Sequence, residues 1–214
     1  MNALPPPATR TALVLVLGIV ALAGFVDACS FVRFGGVFVS FMSGNTTSLG
    51  VALATGQAAL ALRLGLVLTL FVAGVVLGTL LHQRLGPRWA APGLLALVAA
   101  LLLAPQQWPA LGIECLTLAM GVLNASVHQV GNVAVGLTYF TGALVKFGTG
   151  LAQRLRGQPA TGPWRGQLGL WAGFLGGAVL GGVVLARLPQ LALPVAAGFG
   201  AVLAGLALLA PGLR

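Results

Sequence analysis

The sequence predicts an all-α fold, a polytopic helical membrane bundle made of two internal repeats, and three observations carry that prediction. The 214 residues are 58% hydrophobic and 6% charged, with a mean hydropathy of +1.04. A soluble domain carries about 25% charged residues, so this chain could not cover a surface in water. Apolar runs near the ~20 residues that cross a bilayer as a helix follow one another along nearly the whole length. They lack the period-2 alternation of a membrane barrel strand. Finally, glycines, arginines and polar motifs of the first half return in the same order in the second.

Eight apolar segments can be marked, at about 11–32, 37–56, 60–81, 90–104, 109–128, 133–153, 166–187 and 190–210. Segment 1, with Arg10 before it and Ala21-Leu22-Ala23 within it, has the outline of a signal peptide. Its counterpart near Leu111 cannot be one, so segment 1 is expected to be a retained helix behind a disordered tail, residues 1–10, containing Pro5-Pro6-Pro7. The breaks carry turn chemistry: Gly35-Gly36, Gly86-Pro87, Pro105 with Pro109, Gly131-Asn132, Gly157 to Pro163, and Pro189. Trp89, Trp108 and Trp164 stand at segment ends, where amphipathic rings settle at the interface.

Segment 3 contains Phe71-Val72-Ala73-Gly74-Val75-Val76-Leu77-Gly78, followed by Arg84-Leu85. Segment 7 contains Phe174-Leu175-Gly176-Gly177-Ala178-Val179-Leu180-Gly181, followed at the same distance by Arg187-Leu188. The repeats are expected at 11–105 and 109–211, four segments each, within one integral membrane domain. If segments 2 and 6 cross, the chain has eight spans and parallel repeats. If they are broken or re-entrant, it has six spans and inverted repeats. With the N-terminus inside and Lys146 set aside, eight spans put six basic residues inside against four outside; six spans give seven against three. The Arg154 to Arg165 loop is cytoplasmic in either case, which suits a bacterial inner membrane.

A net charge of +9 invites a nucleic-acid reading, but no basic stripe with interleaved aromatics exists. Cys29 and Cys115 lie within apolar segments and give no disulfide or metal framework. With two acids and two histidines in the chain, no catalytic set, metal site or cofactor is expected.

The groups that need explaining are polar ones at membrane depth. Asp27 lies near the end of segment 1, where an ionised carboxylate costs up to about 2.5–3.5 kcal/mol. It calls for a partner, a proton or a water-filled cavity; the plainer alternative is an Asp capping the next turn. Ser30 lies one turn on. Segment 2 then carries Ser40 and the run Ser43-Gly44-Asn45-Thr46-Thr47-Ser48. On a helix Ser40, Ser43, Gly44 and Thr47 would share a face, while Asn45, Thr46 and Ser48 would point elsewhere. Polarity on all sides is better explained by a helix broken there, whose freed groups line a site. The plainer alternative is hydrogen bonding between helices, worth about 0.6 kcal/mol per pair.

Segment 5 sets Glu114, Thr117, Gly121, Asn124 and His128 on one stripe, which should face the interior. Asn124 follows Asp27 at the interval that separates Gly121 from Gly24, so the charge is asymmetric between halves. His128 is read as interfacial. Lys146, the only lysine, shares a face with Thr138 and Gly142; it is expected either to neutralise Asp27 or Glu114 or to snorkel outward. Gly169, Gly173, Gly177 and Gly181 form a four-residue ridge for close helix packing, within the bundle or between protomers of a homodimer.

At Gly24 to Ala28, Gly35-Gly36-Val37-Phe38-Val39-Ser40 and Met42-Ser43-Gly44-Asn45-Thr46, the chain resembles the YoaK-like family of bacterial membrane proteins, a family of unknown function. Ala119-Met120-Gly121, Asn124-Ala125 and Thr141-Gly142 add to the likeness. Relatives usually have Asn-Met-Thr-Gly-Asn where this chain has Phe41 to Asn45, and often Gln-Asn and a later Arg where it has Leu123-Asn124 and His128. The resemblance implies the membrane class and no activity.

The expected function is a small permease or proton- or cation-coupled transporter of a small solute. Asp27, Ser30, Ser40, Ser43, Gly44, Asn45, Thr46 and Thr47 would form the polar site, with Asn124, Thr138 and Thr141 opposite and Glu114 and Lys146 as charged members. The alternative is a membrane scaffold whose polar motifs only pack helices.

Overall fold

The computed structural model describes residues 10–127, 140–159 and 164–209. The N-terminal tail, His128, Gly131-Asn132 and Thr138 lie outside the described residues. All regular structure among the described residues is helical: α1 (Arg10–Arg33), α2 (Met42–Ala54), α3 (Ala58–Leu103), α4 (Gly112–Val127), α5 (Phe140–Leu155), α6 (Trp164–Arg187) and α7 (Ala192–Leu209). Among the described residues, five helical stretches are long and apolar enough to cross a membrane, those of α1, α3, α4, α6 and α7. At 13 residues α2 extends only about 20 Å.

The turn glycines end helices as their sequence suggests. Gly35 takes φ 65°, and the Gly36 N–H reaches back to the Phe31 carbonyl at 2.8 Å, closing α1. Gly56 at φ 70°, with Gln57 N–H on Ala52 O, ends α2 in the same way. Gly157 at φ 72°, with Gln158 N–H on Gln153 O, follows α5. The 46 residues of α3 would make a rod of about 69 Å, twice the hydrocarbon thickness. Gly86, at φ 70° and ψ 168°, breaks it before Pro87, where the sequence placed the break between segments 3 and 4. Leu85 folds back within 2.8 Å of the Cβ position of Gly93.

Small residues set the helix pairing. On α6, Gly173 faces Leu17 and Val20, Gly177 faces the backbone of Ala21, and Gly181 that of Phe25; both helices advance together, so α1 and α6 run parallel. On the first arm of α3, Gly74 faces the Leu118 carbonyl and Gly121, and Gly78 faces Val122 and Ala125, so this arm runs parallel to α4. These two interfaces use corresponding glycines. Gly24 abuts the Phe174 carbonyl as Gly121 abuts that of Phe71.

The remaining contacts fix the other directions. α7 runs against α1, with Gly18 on Leu203 and Gly200 near Leu22 and Ala99. Gly112, at the start of α4, lies by the ring of Phe34, just past the end of α1. Arg63, early in α3, sits over the same ring at 5.7 Å. Both α4 and the first arm of α3 therefore begin where α1 ends, and run opposite to it. Arg33 donates to the Pro189 carbonyl at 2.6 Å, placing the α6–α7 turn at that end too. α5 runs against α6, with Phe140 on Phe174 and Phe147 on Trp164. Buried Leu15, Ile19, Leu22, Leu94, Leu95, Leu102, Leu116, Met120, Leu123 and Leu193 fill the space between.

The glycine ridge thus packs inside the chain. Gly177 and Gly181 are buried on α1, and only Gly169 of the four has nothing near its Cβ position.

Candidate functional site

Between α1 and α2, residues 37–41 return along α1 without helical hydrogen bonds, and Val37, Val39 and Ser40 are buried. Irregular backbone survives at membrane depth only where protein satisfies its polar groups. Asp27 does so here. Its Oδ1 accepts the N–H groups of Val39 and Ser40, both at 2.8 Å, and its Oδ2 accepts the Ser40 hydroxyl at 2.6 Å. With 3% of its surface exposed, the carboxylate exchanges water for three donors on one short stretch. Because Asp27 lies six residues before the end of α1, the contact sits roughly 9 Å inside that end.

The same stretch is held twice more. The Ser30 hydroxyl donates to the Val37 carbonyl at 3.0 Å. Asn45, from the first turn of α2, brackets Phe38: its Oδ1 accepts the Phe38 N–H at 3.1 Å and its Nδ2 donates to the Phe38 carbonyl at 2.7 Å. Outside this polar seam Phe38 meets Phe31 at a tilt and Phe41 edge to face, with ring centroids at 4.9 and 5.3 Å. Gly44 is small because the Phe41 ring occupies the space of its side chain, about 2.5 Å from its Cβ position.

Two expectations need correction. The break lies before the polar run, not within it: Ser43-Gly44-Asn45-Thr46-Thr47-Ser48 is helical, and Ser40 is outside the helix. Asn45 points inward, while Ser43, Thr46, Thr47 and Ser48 are exposed. Thr46 and Thr47 donate to carbonyls one turn back, Met42 and Ser43, as hydroxyls on a helix surface do. Second, Lys146 neutralises neither acid. It is exposed on α5, and no ion pair joins it to Asp27 or Glu114 among the described residues.

The candidate residues of the second half stand apart from Asp27. Asn124 is buried, but its Nδ2 donates to the Met120 carbonyl of its own helix at 2.9 Å. Thr141 is exposed on the first turn of α5. Glu114, Thr117, Gly121 and Asn124 do face inward, as their spacing requires. Glu114 Oε2 and Thr117 Oγ1 are buried without a hydrogen-bond partner, as is Nδ1 of His82 on α3. His82, just past segment 3 and followed by Gln83-Arg84, has the sequence signature of a polar segment end. The amides of Phe38, Val39 and Ser40 carried no signal, because a backbone donor has no residue signature.

Residues 15–206 match the family described as protein of unknown function, DUF1275. The chain belongs to that family. It is also 41% identical over 181 residues to a UPF0700 transmembrane protein of Rhizobium meliloti (strain 1021), covering 85% of this chain and 79% of that one. No solved structure matches it. The chain is accordingly a multi-pass membrane protein of a family without an assigned activity.

Proposed function

We propose that this protein is a small-solute permease of inverted-repeat design, with six spans and with segments 2 and 6 entering and leaving on one side. Opposed directions carry this reading: α1 and α4 correspond in sequence, yet α4 starts where α1 ends. The paired glycine contacts support it, since the first arm of α3 meets α4 as α6 meets α1. In transporters built this way, sites lie near the midplane where repeats meet, at the ends of interrupted helices. Here the start of α2 and the Asp27-bound stretch 37–41 supply such an interruption. Arg84, Arg88, Arg154, Arg156 and Arg165 fall at the end where α1 starts, and Arg33, Arg63 and Arg187 at the other, which favours a cytoplasmic N-terminus in an inner membrane.

A scaffold is the second reading, favoured by one observation: Asp27, Ser30, Ser40 and Asn45 are all satisfied by their own chain. Untargeted metabolite uptake in a deletion strain, with and without the restored gene, separates the two. The permease reading expects at least one solute whose uptake falls on deletion and stays low with a correctly inserted Asp27→Asn protein. Unchanged uptake across all solutes would leave the scaffold. A homodimer, also proposed, would dock through faces other than the buried glycines; blue-native electrophoresis showing only monomer would remove it.

A further inference from the structure

We propose that Glu114 and Thr117 form a binding site for a monovalent cation, one turn inside the end of the bundle where α4 begins. The chain has only two acids. Asp27 is taken by three donors, whereas Oε2 of Glu114 is buried and meets none. Three residues on, Thr117 has no exposed surface and its hydroxyl is equally unpartnered. That is unusual, since Thr79 and Thr69 on α3 both close onto the carbonyl four residues back. Residues three apart on a helix have Cβ atoms about 5–6 Å apart on one face. Two oxygens so placed, and not hydrogen-bonded to each other, suit a hard cation that takes oxygen ligands.

Charge selects the valence. A single carboxylate balances one positive charge, and a divalent ion would leave an uncompensated charge in an apolar bundle. Of the basic groups at this end, Arg33 donates to the Pro189 carbonyl, Arg63 lies over the Phe34 ring and Arg187 is exposed; among the described residues none of them forms an ion pair with Glu114. Glu114 is partly exposed, and at the first turn of α4 it is reachable from that end of the bundle.

The test reads binding and stands apart from the uptake assay. The purified full-length protein in detergent is melted in increasing sodium chloride, with choline chloride holding ionic strength constant. A saturating rise in melting temperature is expected, about 5–10 °C at a hundredfold excess over the dissociation constant. Glu114→Gln abolishes the rise, and Thr117→Val shifts the half-saturating sodium upward at least threefold. A wild-type melting temperature indifferent to sodium overturns the site, as does an undiminished response in Glu114→Gln. If Glu114→Gln does not fold, the wild-type titration and Thr117→Val still decide. Failure here would leave the permease reading untouched, because that reading rests on uptake.

Discussion

Asp27 is too short to reach either membrane surface, and the chain brings three donors to it. Charge-assisted hydrogen bonds contribute roughly 1.5–3 kcal/mol each, and a buried donor left without a partner costs about 1–3 kcal/mol. Asp27→Ala strands two amides and a hydroxyl and should lower unfolding stability by about 3 kcal/mol or more, measured by chemical denaturation in detergent. Asp27→Asn should cost under about 1 kcal/mol, since its oxygen keeps both amides and its nitrogen can donate to Ser40 Oγ. Equal losses for the two variants would mean that charge, not donor count, holds the segment. Asn45→Ala removes both bonds to Phe38 and should cost about 1–3 kcal/mol in the same assay. The acid and the amide were legible because hydrocarbon tolerates neither without cause. Their partners were not, being mostly main-chain groups.

Among the elements, glycines decide which helices meet. Any side chain at Gly74 or Gly177 would run into the backbone of the neighbouring helix, so relief requires the pair to separate. Gly74→Ala and Gly177→Ala should each cost about 1–3 kcal/mol, the range for overpacking. Gly169→Ala, with open space around it, should be neutral within about 0.5 kcal/mol. A Gly169→Ala loss as large as that at Gly177 would mean that the ridge packs against something other than α1. The four-residue spacing of these glycines was visible in the sequence, but their partner was not: α1 and α6 are apolar on nearly every side, so no pattern says which face meets which helix. The break in segment 2 was anticipated one turn too late. The polar run is Ser43 through Thr47, while the irregular backbone is the preceding Val37 to Phe41, mostly hydrophobic in sequence, with Val37, Val39 and Ser40 buried.

At the scale of the molecule, the matching phrases around Gly74 and Gly177 are the sequence's argument for two repeats, and they carry no information on relative orientation. Arginine counts separated six spans from eight by one residue, because so few charges mark the loops. The proposed inversion rests on contacts among residues far apart in sequence, Phe34 with Gly112 and Arg63 above all. Single cysteines at the exposed Gln57, Gln83, Gln107 and Gln158, in a background lacking Cys29 and Cys115, test it most directly. With a membrane-impermeant thiol reagent on intact cells, the inverted six-span account predicts labelling at Gln57 and Gln107, and labelling at Gln83 and Gln158 only after permeabilisation. Gln57 and Gln107 reacting on the same side as Gln158, opposite Gln83, would contradict it.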